Sequence, residues 1–264
     1  LAVAALLPFA ALLLVMIQSQ ADLLFPVHAV PPAGPLPEGA ERLRFTAPDG
    51  AILHGVYLKP AGEEAGQRLL LVGFGGNAWN GQEVATYLHG VFPEAHVVAF
   101  HYRGYRPSTG HPSAGALLDD APLVFDEAVK RVRPGRIVVA GFSIGSGVAA
   151  RLSRKRPVDG VMLVTPFDSL KAVAQELYPW LPIGPFFQHE MAAADDLDGS
   201  DTPVAILAAE QDEIIPASRT DALRRRIRNL RFDRTIRGAG HNDIYHRNDF
   251  QDALREALTA ITAG

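Results

Sequence analysis

Gly141-Phe142-Ser143-Ile144-Gly145 stands between two runs of opposite character. Before it, Arg136-Ile137-Val138-Val139-Ala140 is short and β-branched, the signature of a buried strand. After it, Ser146-Gly147-Val148-Ala149-Ala150-Arg151-Leu152 has helix-forming composition, with small residues first. A serine at such a strand-to-helix turn is held in a strained backbone conformation. Residues two before and two after it pass close together, so only glycine fits there. The turn lifts the Ser143 hydroxyl out of the sheet and aims the first helical N–H groups at the space above it. These features predict a nucleophile on an α/β scaffold.

A nucleophilic serine needs a base, and the base needs an orienting carboxylate. On this kind of sheet they follow in the order serine, acid, histidine. The C-terminal part supplies both. The strand-like run Pro203 to Ala209 is followed by Glu210-Gln211-Asp212-Glu213-Ile214-Ile215-Pro216. The next strand-like run, Arg231 to Ile236, leads to Gly238-Ala239-Gly240-His241-Asn242-Asp243. Asp212 and His241 are therefore expected just past the carboxyl ends of strands, where sites form in open α/β sheets. Asp168 is the competing acid. It too follows a strand-like run, in Thr165-Pro166-Phe167-Asp168-Ser169-Leu170, but that context also suits the start of a helix. Among nine histidines, His241 alone combines this position with the required chain order.

The developing oxyanion needs two N–H donors. One is expected from Ile144, directly after the nucleophile. The other comes from the loop Gly75-Gly76-Asn77-Ala78-Trp79-Asn80-Gly81, which follows the strand Leu69 to Phe74. Asn77 is the expected donor, with Gly76 as its neighbouring alternative.

Several stretches together resemble the α/β-hydrolase superfamily. Within it they are similar to the small, N-terminally membrane-anchored branch related to yeast bud-emergence proteins, with a serine-aminopeptidase (S33-like) character. The matching stretches are Gly75 to Ala78, Tyr102 to Ser113, Gly141 to Gly145, Thr165 to Leu170, Tyr178 to Pro182, Asp212 to Pro216 and Gly240 to Asp243. The resemblance implies a mostly parallel central sheet with helices on both faces and a small cap. It also implies a Ser143–Asp212–His241 triad. Departures from the branch are Gly75-Gly76 before the loop asparagine, Gly145-Ser146 after the nucleophile's neighbour, and Arg106 at a position more often glycine. None removes a catalytic group. The expected activity is cleavage of an ester or thioester through an acyl-enzyme. The alternatives are an amidase or aminopeptidase on the same triad, or a non-catalytic membrane-tethered binding protein.

Composition fits this frame. The chain has 264 residues and 48% hydrophobic content, enough for one three-layer core. A formal net charge of −4 gives no electrostatic footprint for nucleic acid, and the expected partner is a small-molecule or lipid-like ester. The absence of cysteine excludes a thiol nucleophile, a disulfide and a cysteine-based zinc site. No histidine spacing calls for a metal, and the chemistry calls for no cofactor.

Residues 1–17 carry no charged side chain and are expected to form a single membrane anchor, or else a cleaved secretory signal. No Lys or Arg precedes Arg42, so the catalytic domain is expected on the translocated side; signal cleavage would instead leave it secreted or periplasmic. Residues 18–41 contain Pro31, Pro32, Pro35 and Pro37 and read as a stiff linker between membrane and domain, so residues 1–28 are expected to add little to the core. The catalytic domain is expected over residues 42–264, opening with a hairpin around Pro48-Asp49-Gly50. Leu117, Leu118, Ala121, Val124, Phe125, Ala128 and Val132 mark the core face of a helix, with Asp119 and Asp120 turned outward. Residues 169–203 break the strand–helix alternation. Their Tyr178, Trp180, Phe186 and Phe187 suggest a small cap crowding the site. Ala222, Leu223, Ile227 and Leu230 are expected on one helical face, with the surrounding arginines solvated. Arg103 is expected either to bind a substrate carboxylate or to order the loop around Tyr102 and Tyr105.

Overall fold

A computed structural model describes residues 14, 15, 17–62 and 68–263. Eight strands form one sheet: β1 (Glu41–Thr46), β2 (Ile52–Leu58), β3 (Leu69–Phe74), β4 (His96–Phe100), β5 (Arg136–Phe142), β6 (Gly160–Val164), β7 (Val204–Ala209) and β8 (Leu230–Ile236). Their order across the sheet is β1-β2-β4-β3-β5-β6-β7-β8. β1 and β2 pair antiparallel, β2 is antiparallel to β4, and every later pairing is parallel. The chain has the α/β-hydrolase fold.

Parallel strands need crossovers, and the helices that make them cover both faces. The strand period of two divides each strand between two cores. Leu70, Val72 and Val139 join the core under α2 (Ala114–Val132) and α3 (Ile144–Lys155). Leu71, Val138, Ala140 and Phe142 join the core under α1 (Gly81–Val91) and α7 (Asn248–Thr262). The first and last of these helices therefore share one face. The helical segments α4 (Leu170–Leu177), α5 (Ala193–Leu197) and α6 (Ala217–Arg224) follow β6 and β7 at the carboxyl edge of the sheet.

Three details differ from the sequence expectation. Asp120 is buried on α2, not turned outward, because Arg103 donates to both of its carboxylate oxygens at 2.7 and 2.6 Å. A buried carboxylate is tolerated when such a fork neutralises it. The helix carrying Leu223 ends at Arg224, and Leu230 opens β8 instead of extending that helical face. The arginines around it are paired across the surface: Arg224 with Asp221 and Asp233, and Arg226 with Asp195 and Asp198.

The stretch read as a linker is docked on the domain. A helix runs through residues 17–24 and ends before Pro26, which cannot continue it. Phe25 is 1% exposed and lies edge-on to the His189 ring. Asn80 donates to the Pro31 carbonyl, and Gln82 donates to the carbonyls of Gly34 and Pro35. Proline-rich backbone leaves carbonyls without helix or sheet partners, and these two amides supply them. Among the described residues no helix is long and apolar enough to cross a membrane. Most of the expected anchor, residues 1–13 and 16, lies outside the described residues.

Candidate functional site

Ser143 sits between β5 and α3 at φ 52°, ψ −118°, in a region that L-residues rarely adopt. The surroundings hold it there. Its N–H donates to Val164 O at 2.9 Å, and its carbonyl accepts from both the N–H and the hydroxyl of Ser146. A side chain on Gly141 would overlap the Gly145 carbonyl. One on Gly145 would overlap the carbonyls of Phe74 and Gly75. The glycines are therefore required by contact with backbone, which cannot yield as a flexible side chain can.

His241 follows β8 on a loop held by three carboxylates. Glu210 accepts from Gly238 N–H, Asp243 from Gly240 N–H, and Glu213 from the N–H of His241 itself at 3.0 Å. The imidazole Nδ1 lies 2.9 and 2.8 Å from the two oxygens of Asp212. Its Nε2 lies 2.9 Å from Ser143 Oγ. An ionised carboxylate only accepts, so the ring proton resides on Nδ1 and the Nε2 lone pair faces the serine hydroxyl. Both the imidazole and the Asp212 carboxylate are buried, which limits competition from water. Asp212 Oδ1 also accepts from the N–H groups of Ile214 and Ile215, so the turn after β7 sets the carboxylate's angle.

The structure thus brings Ser143, His241 and Asp212 into one hydrogen-bonded row. Asp168 is elsewhere. It pairs with Arg219 at 3.4 Å, burial pushes its carboxyl up against that arginine's pull, and Ser169 caps α4. Gly76 approaches Ser143 closely enough that a Cβ there would lie 3.7 Å from Ser143 Cβ. Asn77 and Ile144 both line the adjoining pocket. Ile144 is the first residue of α3, so its N–H has no acceptor within the helix.

That pocket encloses about 320 Å³. This falls within the ~300–1,000 Å³ typical of small-ligand sites. Its walls are apolar, Ile144, Phe167, Leu170, Val173, Leu181 and Ile215 among them, and among the described residues no charged side chain lines it. Tyr178, Phe186 and Phe187 of the expected cap form part of the wall, while Trp180 is 64% exposed beside them. The other wall was not anticipated. Ile17, Gln20, Leu23 and Leu24 of the N-terminal helix line the same cavity. Gln20 fastens that helix by donating to Phe186 O at 2.9 Å and accepting from Gln188 N–H at 3.0 Å. The signal was present as apolar residues at helical spacing, Ile17 at the end of the charge-free run and Leu24 one heptad on.

A tight strand-to-helix turn carrying Ser143 at the carboxyl edge of a mostly parallel sheet, with Asp212 on the loop after β7 and His241 on the loop after β8, is an arrangement of the α/β-hydrolase fold. No family model matches the chain. Direct comparison does find relatives. An uncharacterized protein of Mycobacterium tuberculosis is 30% identical over 240 residues, spanning 87% of this chain and 85% of that protein. The lysophosphatidylserine lipase ABHD12 of Danio rerio is 32% identical over 139 residues, 46% of this chain and 36% of its own length. Among solved structures, an alpha-beta hydrolase from Vibrio vulnificus superposes with a TM-score of 0.69 at 18% identity, covering 92% of each chain. The chain belongs to the same family as the Mycobacterium tuberculosis protein, and its fold is that of the α/β-hydrolases.

Proposed function

We propose that this protein is a serine hydrolase that cleaves a lipid-like ester or thioester through an acyl-enzyme. The observation that carries the reading is the row Ser143 Oγ–His241 Nε2, His241 Nδ1–Asp212, opening onto an apolar pocket. In this mechanism His241 Nε2 takes the hydroxyl proton as Ser143 Oγ attacks the carbonyl carbon. Asp212 holds the tautomer and stabilises the imidazolium that forms. The N–H groups of Asn77 and Ile144 receive the oxyanion. Collapse expels the alcohol or thiol, which takes the proton from His241. Water, deprotonated by the same imidazole, then attacks the acyl-enzyme and releases the acid.

The apolar walls support an acyl chain as the bound group. Similarity to a protein named as a lysophosphatidylserine lipase supports an ester of lipid type over a peptide. An amidase on the same triad remains the second enzymatic reading, and the order of the motifs supports the bud-emergence-related branch. We also place the protein at a membrane, anchored through residues 1–17 with its catalytic domain on the translocated side. In support, the charge-free run leads into a helix that lines the pocket. Leu23, Leu177, Tyr178, Phe186 and Ile214, all exposed, surround the same cavity.

A serine-directed fluorophosphonate tests the chemistry. Wild type is expected to label and to hydrolyse esters, and Ser143→Ala to do neither while keeping its thermal transition. Continued labelling of the variant would mean another nucleophile. A wild type that neither labels nor turns over ester, thioester or amide panels would favour the non-catalytic binding protein.

A further inference from the structure

Three successive carbonyls of the loop after β3 are tied down. The Tyr102 hydroxyl donates to Gly75 O at 2.9 Å. The Trp79 N–H donates to Gly76 O at 3.3 Å. The Tyr105 hydroxyl donates to Asn77 O at 2.5 Å. Across a trans planar peptide, the carbonyl of one residue and the N–H of the next point in opposite directions. Holding Gly75 O therefore orients the N–H of Gly76, and holding Gly76 O orients the N–H of Asn77. Holding Asn77 O prevents the following peptide from turning its negative end toward the reacting centre. A loop containing Gly75-Gly76 has little steric resistance of its own to such flips.

Both phenols come from one rigid segment, the loop after β4. Arg103 lies between them and clamps it, donating to both oxygens of buried Asp120 and pairing with Asp49. Gly104 turns at φ 74° and its N–H donates to Thr109 O. Ser108 Oγ donates to His101 O and accepts from His54 N–H. The two rings meet edge to face, 5.6 Å between centroids. Tyr105 is fully buried, and burial pushes both hydroxyls well above their ordinary range, so they stay protonated donors at working pH. Arg103, for which a substrate-binding role was open, is committed to this loop.

We propose that Tyr102 and Tyr105 are positioning residues of the oxyanion loop, orienting the peptides of residues 75–78 so that N–H groups, not carbonyls, face the tetrahedral intermediate. The inference rests on the serine-hydrolase reading. It adds a route by which Arg103 and Asp120, remote from the nucleophile, affect catalysis.

The test uses Tyr105→Phe and Tyr102→Phe in the full chain, each keeping the ring and removing only the hydroxyl. Removal of a direct oxyanion donor costs ~10²–10³ in kcat. Loss of a group that holds the peptide on either side of one is expected to cost about ten- to a hundredfold in kcat per active site, with KM changed less than twofold. A trifluoromethyl ketone forms a serine-bound oxyanion, so its affinity should fall in step with kcat. A merely structural role would lower the thermal midpoint and the active fraction and leave kcat per titrated site intact. That result, or a ketone affinity that stays constant while kcat falls, overturns the proposal. Should Tyr105→Phe not fold, Tyr102→Phe decides on the same criteria. A wild type inert to phosphonate and ester overturns this inference together with the reading beneath it; an active wild type with unaffected tyrosine variants overturns this inference alone.

Discussion

Asp212→Asn is the most informative single change, because the structure dictates how the new amide will orient. Asp212 Oδ1 accepts from Ile214 N–H at 3.0 Å and Ile215 N–H at 2.7 Å. Both are donors, so an asparagine must keep its carbonyl oxygen there and place its NH2 group where Oδ2 now faces His241 Nδ1 at 2.8 Å. A donor at that position opposes a proton on Nδ1 and shifts the tautomer toward Nε2–H, against the single oxygen that stays 2.9 Å from Nδ1. Nε2 then donates to Ser143 Oγ and can no longer accept its proton. In a well-studied serine protease the equivalent change costs ~10⁴ in kcat, on the order of 5 kcal/mol of transition-state stabilisation. The same loss is expected here, with the thermal midpoint shifted little, since the hydrogen-bonding shape is kept. Asp168→Asn should retain activity, because Asp168 pairs with Arg219 and not with His241. Steady-state hydrolysis of a soluble p-nitrophenyl ester, referred to folded enzyme, measures both. An Asp212 variant within tenfold of wild type, or an inactive Asp168 variant that is folded, would refute the reasoning.

Removing residues 1–28 takes one wall from the pocket and Phe25 from the core, so the truncated protein should show a lower thermal midpoint and weaker discrimination among acyl chain lengths. Phe25→Ala alone should cost about 3–5 kcal/mol in urea unfolding, and Gln20→Ala should raise KM for long-chain esters more than for acetyl esters; a truncation with unchanged midpoint and chain-length profile contradicts this. His101 is buried, and burial followed by the nearby His54 pulls it from 6.5 to about 4. Because its folded value is the lower one, the unfolded chain binds the proton first. Stability is then full above pH 6.5 and is lost as pH falls from 6.5 to about 4, on the order of 3 kcal/mol from this residue. Urea midpoints between pH 7.5 and 4.5 should fall more steeply for wild type than for His101→Gln; parallel slopes would rule the residue out.

Much of the scaffold was legible because its signals are local. The β-branched runs, the elbow glycines and the Pro48-Asp49-Gly50 hairpin each depend on neighbours a few residues away. Ser143, Asp212 and His241 could be singled out because chain order and strand-end position narrow the choice. Asp120 was misread for the opposite reason. Helical spacing alone places it outward, and only the arrival of Arg103, 17 residues away in sequence, accounts for a buried carboxylate. The segment 18–41 reads as a stiff linker because proline-rich composition reports local stiffness, not docking. Its partners, Asn80 and Gln82, are 49 and 48 residues distant from the carbonyls they bind.

What the sequence by itself determined is the architecture and the identity of the candidate reacting groups. Periodicity decides strand against helix, and the glycines at 141 and 145 admit only a tight elbow between them. What only the tertiary structure decided is the shape and support of the site. The pocket has a wall from residues 17–24 because Gln20 meets the backbone of residues 186–188 across 166 positions of chain. The loop after β3 is braced from the next strand's loop because β3 and β4 are sheet neighbours, which brings Tyr102 and Tyr105 to the carbonyls of Gly75 and Asn77. The physical reason is the same in each case. Local propensities act over one turn or one strand, whereas a hydrogen bond to a distant carbonyl exists only after the whole chain has packed.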